Sequence, residues 1–451
     1  MKRISLASVL SWFPHGIRDY ISEIIADKLT GRVVRGSFWA LAGSLIFKGF
    51  FLVSSIAVAR ILGRSQYGEL GIIQSTINMF VAFAGFGLGV TSTKYVAEMR
   101  DDDPENAGTF IASSNIIAAL IGVCFTALFF ILSPVITEKL IDAPDLADEM
   151  RLGSLILFFS AINGAQTGAM AGFENFKDIA KINVSVGLFS LPVQILMTLF
   201  FGLYGAITGF GLTFLLQWIL YYFFLRKTAQ RFNIRIRIGK SLKNISYLWE
   251  FSIPALFGGI IVSMALWYAN TILVTRTNGF NEMAVFNAAS QWQNIVLFIP
   301  MAISQISLPL FSHSKNNIEK FTKFIKYNII INFSICLIFA TIFALFSKYI
   351  MQSYGNSFRE GYLVLIILSF TAVLISLNTV IGQVIAGIGK MWIGFAINLL
   401  WATVFLYLAF QFMSSGAGAK GLALAMLFSY LVHTLVVTLT SYYFIKRRFR
   451  K

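Results

Sequence analysis

Acid is scarce in this chain: 20 Asp and Glu stand against 36 Lys and Arg in 451 residues, and charged residues of both signs make up only 12%. No carboxylate falls at the centre of an apolar run; even Glu69, Asp178 and Glu250 sit at run edges. The sequence thus offers no buried intramembrane acid of the kind that couples transport to protons or sodium, and it designates no coupling ion. His15, His313 and His433 are dispersed, so spacing assembles neither a metal site nor a nucleophilic triad. The two cysteines, Cys124 and Cys336, cannot make a disulfide framework; lying inside separate apolar runs, they read as small core residues. Ala386-Gly387-Ile388-Gly389-Lys390 lacks the glycine spacing of a phosphate loop and the hydroxyl that follows its lysine. No cofactor, no metal and no enzyme chemistry is expected.

What the chain has in excess is apolar length. At 57% hydrophobic it carries more apolar side chain than a soluble interior could hold, so the surplus must face lipid. Runs long enough to cross hydrocarbon, roughly 20 residues at helical rise, recur along the whole chain. They fall near 36–59, 70–92, 108–133, 151–171, 180–203, 205–225, 251–275, 284–310, 325–346, 361–385, 390–412 and 418–444. Stretches such as Ile116 to Leu132 are apolar on every face rather than alternating, which predicts helices and excludes a membrane barrel. The fold class expected is an all-α integral membrane protein of twelve transmembrane helices.

The net charge of +16 is a topology signal. Basic residues that bind nucleic acid would cluster on a soluble surface, and none remains, so no nucleic-acid partner is expected. With the amino terminus inside, the inner segments hold 27 of the 36 basic residues and the outer loops 8; the one left over is Lys48. That excess places both termini in the cytoplasm. Residues 1–35 read as a cytoplasmic amphipathic segment with Ile17, Ile21, Ile24 and Ile25 on one face. The basic stretch within 226–250 reads as a linker between six-helix lobes at 36–225 and 251–445, with a basic tail at 446–451.

The two lobes repeat one another. Ala59-Arg60 followed by Tyr67-Gly68 corresponds to Thr275-Arg276 followed by Met283-Ala284, and Ala171-Gly172-Phe173 to Ala386-Gly387-Ile388, at displacements of 216 and 215. Six helices per copy is an even number, so the copies enter the membrane from the same side, as parallel repeats about a central cavity. The longest outer stretch, Glu138 to Glu149, is too short for a separate extracytoplasmic domain.

Against this scaffold a few polar residues stand out within the spans. Lys48 lies in the middle of the first, too deep to snorkel easily, and a charge there calls for a wet cavity or an anionic ligand. Ser44 and Ser55 share its helical face, and its counterpart in the second lobe is Met264. Asn287, Gln291 and Asn294 stack on one face of the eighth span; Gln74 and Asn78 lie in the second, with Asn78 in register with Asn294; Trp267 and Asn270 lie in the seventh. Any one amide could be packing glue between helices. Together with Lys48 they predict a hydrogen-bonding cavity suited to sugars. Arg60 and Arg276, at the outer ends of the first and seventh spans, are either release guides or stop-anchor residues.

Two stretches carry a family resemblance: Arg60-Ile61-Leu62-Gly63-Arg64-Ser65-Gln66-Tyr67-Gly68-Glu69-Leu70-Gly71, and Ala169-Met170-Ala171-Gly172-Phe173-Glu174-Asn175-Phe176-Lys177. With the twelve-span pattern, they resemble the Wzx-type polysaccharide and O-antigen flippases of the multidrug/oligosaccharidyl-lipid/polysaccharide exporter superfamily. The resemblance implies a V-shaped protein that carries a lipid-linked oligosaccharide across the bacterial inner membrane by alternating access, the lipid being polyprenyl pyrophosphate. The partners it implies are that cargo, membrane lipid and other polysaccharide assembly proteins. It also implies that Lys48 meets the pyrophosphate or an acidic sugar while the amides face the glycan. Two rival readings are an ion-coupled multidrug exporter of the same superfamily and a membrane-embedded polymerase or ligase. The first lacks its intramembrane acids here, and the second would be expected to have a large outer loop. A structural partner in an assembly complex is a third.

The topology is open to direct test. Fusion of a phosphatase active only outside the cytoplasm is expected to give activity when joined after residue 145 and none when joined after residue 451; activity at the second site would reverse the assignment.

Overall fold

The computed structural model describes residues 28–85, 87–237, 245–313, 318–387 and 391–448. Residues 1–27 of the predicted amphipathic segment, 238–244 of the predicted linker, 388–390 and the tail end at 449–451 lie outside the described residues. Helix dominates, and there is no strand among the described residues.

In the first lobe, α1 (Lys28–Ala84) and α2 (Leu88–Met99) hold the first two spans, followed by α3 (Pro104–Lys139), the short α4 (Ala147–Gly153) and α5 (Leu155–Gly172). A long α6 (Phe176–Arg231) closes the lobe. The second lobe comprises α7 (Ile245–Val274), α8 (Gly279–His313), α9 (Ile318–Leu345), the short α10 (Ser347–Ser353), α11 (Tyr362–Gly387), α12 (Met391–Ser414) and α13 (Gly418–Arg448).

Two of these helices hold two spans each, and glycine is the reason. Gly63, with φ 75, breaks α1 between spans 1 and 2, and Gly202, with φ 57, breaks α6 between spans 5 and 6. Positive φ costs a glycine little and most other residues a good deal. With these breaks counted, the chain crosses twelve times, as predicted. The helices run past the predicted ends because a helix continues beyond hydrocarbon into the headgroup zone, where apolarity is no longer required. Span 2 is bent within its glycine-rich stretch Gly85, Gly87 and Gly89, with Gly87 at φ 61 separating α1 from α2.

The apolar core shows how the lobes sit together. One cluster spans both lobes at the end where spans 1 and 2 join, drawing in Tyr67, Ile72 and Met150 from the first lobe and Ala284, Phe358 and Phe405 from the second. Towards the opposite end the core divides. Tyr95, Phe110, Met170 and Tyr221 cluster within the first lobe, while Ile381, Ile385, Ile397 and Val437 cluster within the second. The lobes thus form a V, joined at the predicted outer end. Large apolar side chains such as Phe200 and Leu345 remain exposed on the flanks, as a lipid-facing surface requires. Cys336 is buried as expected, but Cys124 is exposed and therefore not a core residue; it sits on an apolar face that has no protein neighbour to cover it.

At the divided end, side-chain caps and ion pairs hold the first lobe together. Asn175 caps α6, accepting from the Asp178 backbone N–H and donating to the Thr228 hydroxyl at 2.7 Å. Asp178 is buried and takes Lys181 at 2.8 Å and Arg231 at 3.5 Å, so the start of α6 is tied to its end. Burial pushes the Asp178 carboxyl up, but hydrogen bonds from Lys181 and Asn175 and the charges of Lys181 and Arg231 outweigh it, leaving the group below its ordinary value of 3.8. Stability from a depressed carboxyl is fully present above the unfolded value and is lost as pH falls through the folded one. Asp178→Asn is therefore expected to destabilise purified protein at neutral pH by about 1 kcal/mol, with the gap to the parent protein closing below pH 3.8, read by thermal unfolding across a pH series.

Candidate functional site

Spans 2 and 8 run alongside one another across the lobe interface, and beside them lies a cavity of about 440 Å³. Its walls come from both lobes in pairs related by the repeat. Phe51 and Trp267, Gly71 and Asn287, Gln74 and Ser290, Ser75 and Gln291, Asn78 and Asn294, and Phe210 and Met426 each stand 216 residues apart. Both lobes of the pseudo-twofold thus present the same helical face to the axis. Among the described residues, none that lines the cavity is charged.

All six predicted polar and aromatic site residues of spans 2, 7 and 8, Asn78, Trp267, Asn270, Asn287, Gln291 and Asn294, line this cavity. Two of them also bind the lobes together. The Trp267 indole N–H donates to the Thr76 hydroxyl at 3.1 Å, and the Asn270 amide donates to Ser75 at 2.8 Å. The Asn287 side-chain nitrogen is buried without a hydrogen-bond partner in the protein, close against Gly71, where an added Cβ would stand 3.1 Å from it. Such an orphan donor at a cavity wall is a natural point for a ligand oxygen.

Lys48 stands just outside this set. Phe51, three residues on and so about 4.5 Å further along the helix, lines the cavity, and the Lys48 Nζ lies 5.5 Å from the centre of the Phe298 ring of the second lobe. Lys48 therefore marks the mouth of the cavity, on the side where the lobes divide. The two serines expected beside it turn elsewhere: Ser44 accepts from Asn183 at 3.2 Å, and Ser55 shares a 2.6 Å hydrogen bond with Tyr67. Sequence reading missed Phe51, Ser75, Ser290, Phe210 and Tyr430 as lining residues; the register with Trp267, Gln291 and Gln74 was the signal that could have found the first three.

At the joined end the cavity is sealed. Tyr67, Tyr354 and Phe358 are fully buried with ring centres 5.8 to 6.1 Å apart. Gly68 approaches span 8 so closely that a Cβ there would fall 1.8 Å from the carbonyl oxygen of Phe280. Arg60 and Arg64, on either side of the Gly63 break, both reach into the second lobe. Arg60 donates to the Ser353 carbonyl at 2.6 Å; Arg64 donates to the carbonyls of Asn281 and Ser357, each at 3.0 Å, and meets Glu282 at 3.2 Å. The other Glu282 oxygen accepts the Ala419 backbone N–H at 2.8 Å and so caps the first turn of α13. Arg276 stays within its own lobe, 3.4 Å from the Ser414 hydroxyl and over the Phe410 ring, where it also borders a surface recess with Asp142 and Asn281.

Comparison with known proteins agrees with this geometry. Residues 33–315 match the model of a family described as polysaccharide biosynthesis protein. The chain is 20% identical over 423 residues to the EPS I polysaccharide export inner membrane protein EpsE of Ralstonia nicotianae, covering 90% of this chain and 92% of that one. It is 22% identical over 421 residues to the lipopolysaccharide biosynthesis protein WzxC of Escherichia coli, covering 90% and 80%. Among solved structures, the fold matches an inward-facing multidrug resistance MATE family transporter of the MOP superfamily with a TM-score of 0.80 at 18% identity, covering 91% of this chain and 96% of that one. An outward-facing form of a MATE family transporter matches at 0.72, again at 18% identity, covering 95% and 98%.

The seal makes a measurable prediction. In a Cys124→Ser, Cys336→Ala background, a cysteine introduced by Ser55→Cys, a buried position beside Tyr67, is expected to react slowly with a membrane-impermeant maleimide added from outside. Arg64→Ala should raise that reactivity several-fold by removing three cross-lobe contacts, and Gly68→Val should raise it further because the lobes can no longer meet.

Proposed function

The chain belongs to the polysaccharide biosynthesis protein family, and on that premise we propose that it is a flippase. Its cargo is a polyprenyl-pyrophosphate-linked oligosaccharide, carried across a bacterial inner membrane by alternating access for the assembly of O-antigen, capsule or exopolysaccharide. The observation that carries this reading is the uncharged, amide-lined cavity between two lobes, with one lysine at its mouth. Amides suit a glycan because each can donate and accept, as sugar hydroxyls do. A lysine at membrane depth suits a phosphate, which it meets as a point charge.

The sealed end is the outer one by the distribution of basic residues, and the cavity opens towards the cytoplasm, where lipid-linked sugars are assembled. In this cycle the glycan enters between the lobes while the prenyl chain stays in lipid and the pyrophosphate rests at Lys48. Release outward requires Arg60 and Arg64 to leave their second-lobe acceptors and the aromatic plug around Tyr67 to part. Arg60, read from sequence as a release guide or an anchor, is thus assigned to the closing contact, and Arg276 to the rim of the exit. The domain boundaries at 226–250 and the cytoplasmic placement of both termini belong to this same proposal.

A multidrug exporter would share this fold. Cationic cargo, however, would gain nothing from Lys48 and would find no acid among the residues that line the cavity. A polymerase or ligase would need catalytic side chains exposed on the outer face, whereas the polar groups here converge between the lobes.

Lys48→Ala is expected to cut surface polysaccharide on the order of tenfold at unchanged protein level, the loss of one charge-assisted contact being worth ~1.5–3 kcal/mol, while Lys48→Arg should retain most of it. Normal output from the alanine variant would sink the role assigned to Lys48.

A further inference from the structure

The described wall of the cavity is neutral, and that constrains its cargo more tightly than the flippase reading alone. We propose that it selects oligosaccharides whose sugars nearest the lipid are uncharged, and that the cargo's negative charge is confined to Lys48 at the mouth. The inference rests on the flippase reading and names the class of glycan that reading leaves open.

The first support is what the walls contain. Seven amides, Gln74, Asn78, Asn270, Asn287, Gln291, Gln293 and Asn294, line a space that no charged residue lines among the described residues. A carboxylate drawn into it would leave bulk water without meeting a counter-charge, and an uncompensated charge in a low-dielectric site is costly. Amide N–H groups can solvate an anion, but every amide brings a carbonyl oxygen that repels one. Moreover, the N–H donors of Trp267 and Asn270 are already committed across the interface. A neutral sugar has no such difficulty, since its hydroxyls pair with both ends of each amide. Phe51, Trp267 and Phe210 add ring surface for the apolar faces of the pyranose.

The second support is where the cation stands. Lys48 is absent from the cavity wall and lies beyond Phe51, over Phe298. An anionic group at Lys48 therefore sits at the mouth, which is the place of the lipid-proximal pyrophosphate when the first sugars occupy the amides. An acidic sugar deep in the cavity would be out of its reach. At about 440 Å³ the space is within the ~300–1,000 Å³ range of ligand pockets, so the selection falls on the few sugars nearest the lipid rather than on a whole chain.

The test uses full-length protein in liposomes with two synthetic polyprenyl-pyrophosphate trisaccharides, identical except that the sugar joined to pyrophosphate is a hexose in one and a hexuronic acid in the other. Translocation is followed by protection of the glycan from an oxidase that cannot cross the membrane. The neutral cargo is expected to move at least about tenfold faster, Gln291→Lys to narrow that gap, and Lys48→Ala to slow both. Equal rates, or a faster acidic cargo, in the unsubstituted protein would overturn the selection while leaving the flippase reading intact. Movement of neither cargo would overturn both. The comparison within the unsubstituted protein decides the matter even if the Gln291→Lys protein does not fold.

Discussion

Everything distinctive about this molecule depends on two backbones touching at one end. Within a bilayer the lipid is as apolar as leucine, so apolar side chains alone give helices little reason to associate. The lobes hold together where Gly68 lets span 2 come up against the Phe280 carbonyl, and where Arg60 and Arg64 find second-lobe carbonyls within reach. Around that contact the core runs unbroken from lobe to lobe; away from it the core splits. The V, the cavity and the direction in which it opens all follow from closing one end and leaving the other free.

The cavity is polar for a related reason. On the lipid-facing flanks an amide would be stranded, and there the chain places Phe, Leu and Ile. At the pseudo-twofold axis, polar groups from one lobe face those of the other, so Ser75 and Thr76 can accept from Asn270 and Trp267. The repeat makes the scaffold symmetric and leaves specificity to the positions where symmetry fails. Lys48 against Met264 is the clearest of these, and Gly71 against Asn287 is another: a wall on one side, and on the other the space that wall needs.

Much of this was legible in the residues. Twelve crossings, two lobes and the six amide and aromatic wall positions of spans 2, 7 and 8 are visible as apolar runs, a repeat and polar interruptions at helical spacing. Helix ends were harder, because apolarity stops at the headgroups and helices do not. The bend at Gly87 was marked by the glycines at 85, 87 and 89, which permit bending without saying which of them takes it. Arg60 could not be assigned, since its partner is a backbone carbonyl, and carbonyls leave no mark in a sequence. Glu282 was invisible for the same reason: half of its role is played by the N–H of Ala419. Cys124 was misjudged because an apolar run does not say which of its faces meets protein and which meets lipid.

The double engagement of Glu282 has a consequence for the opening of the seal. When Arg64 withdraws, the carboxylate is not abandoned, because the start of α13 still supplies a backbone donor and the positive end of a helix dipole. Only one member of the ion pair must find new hydration during opening. The second lobe thus keeps its carboxylate compensated whether or not the arginine is in place, so parting the seal strands no acid without a partner.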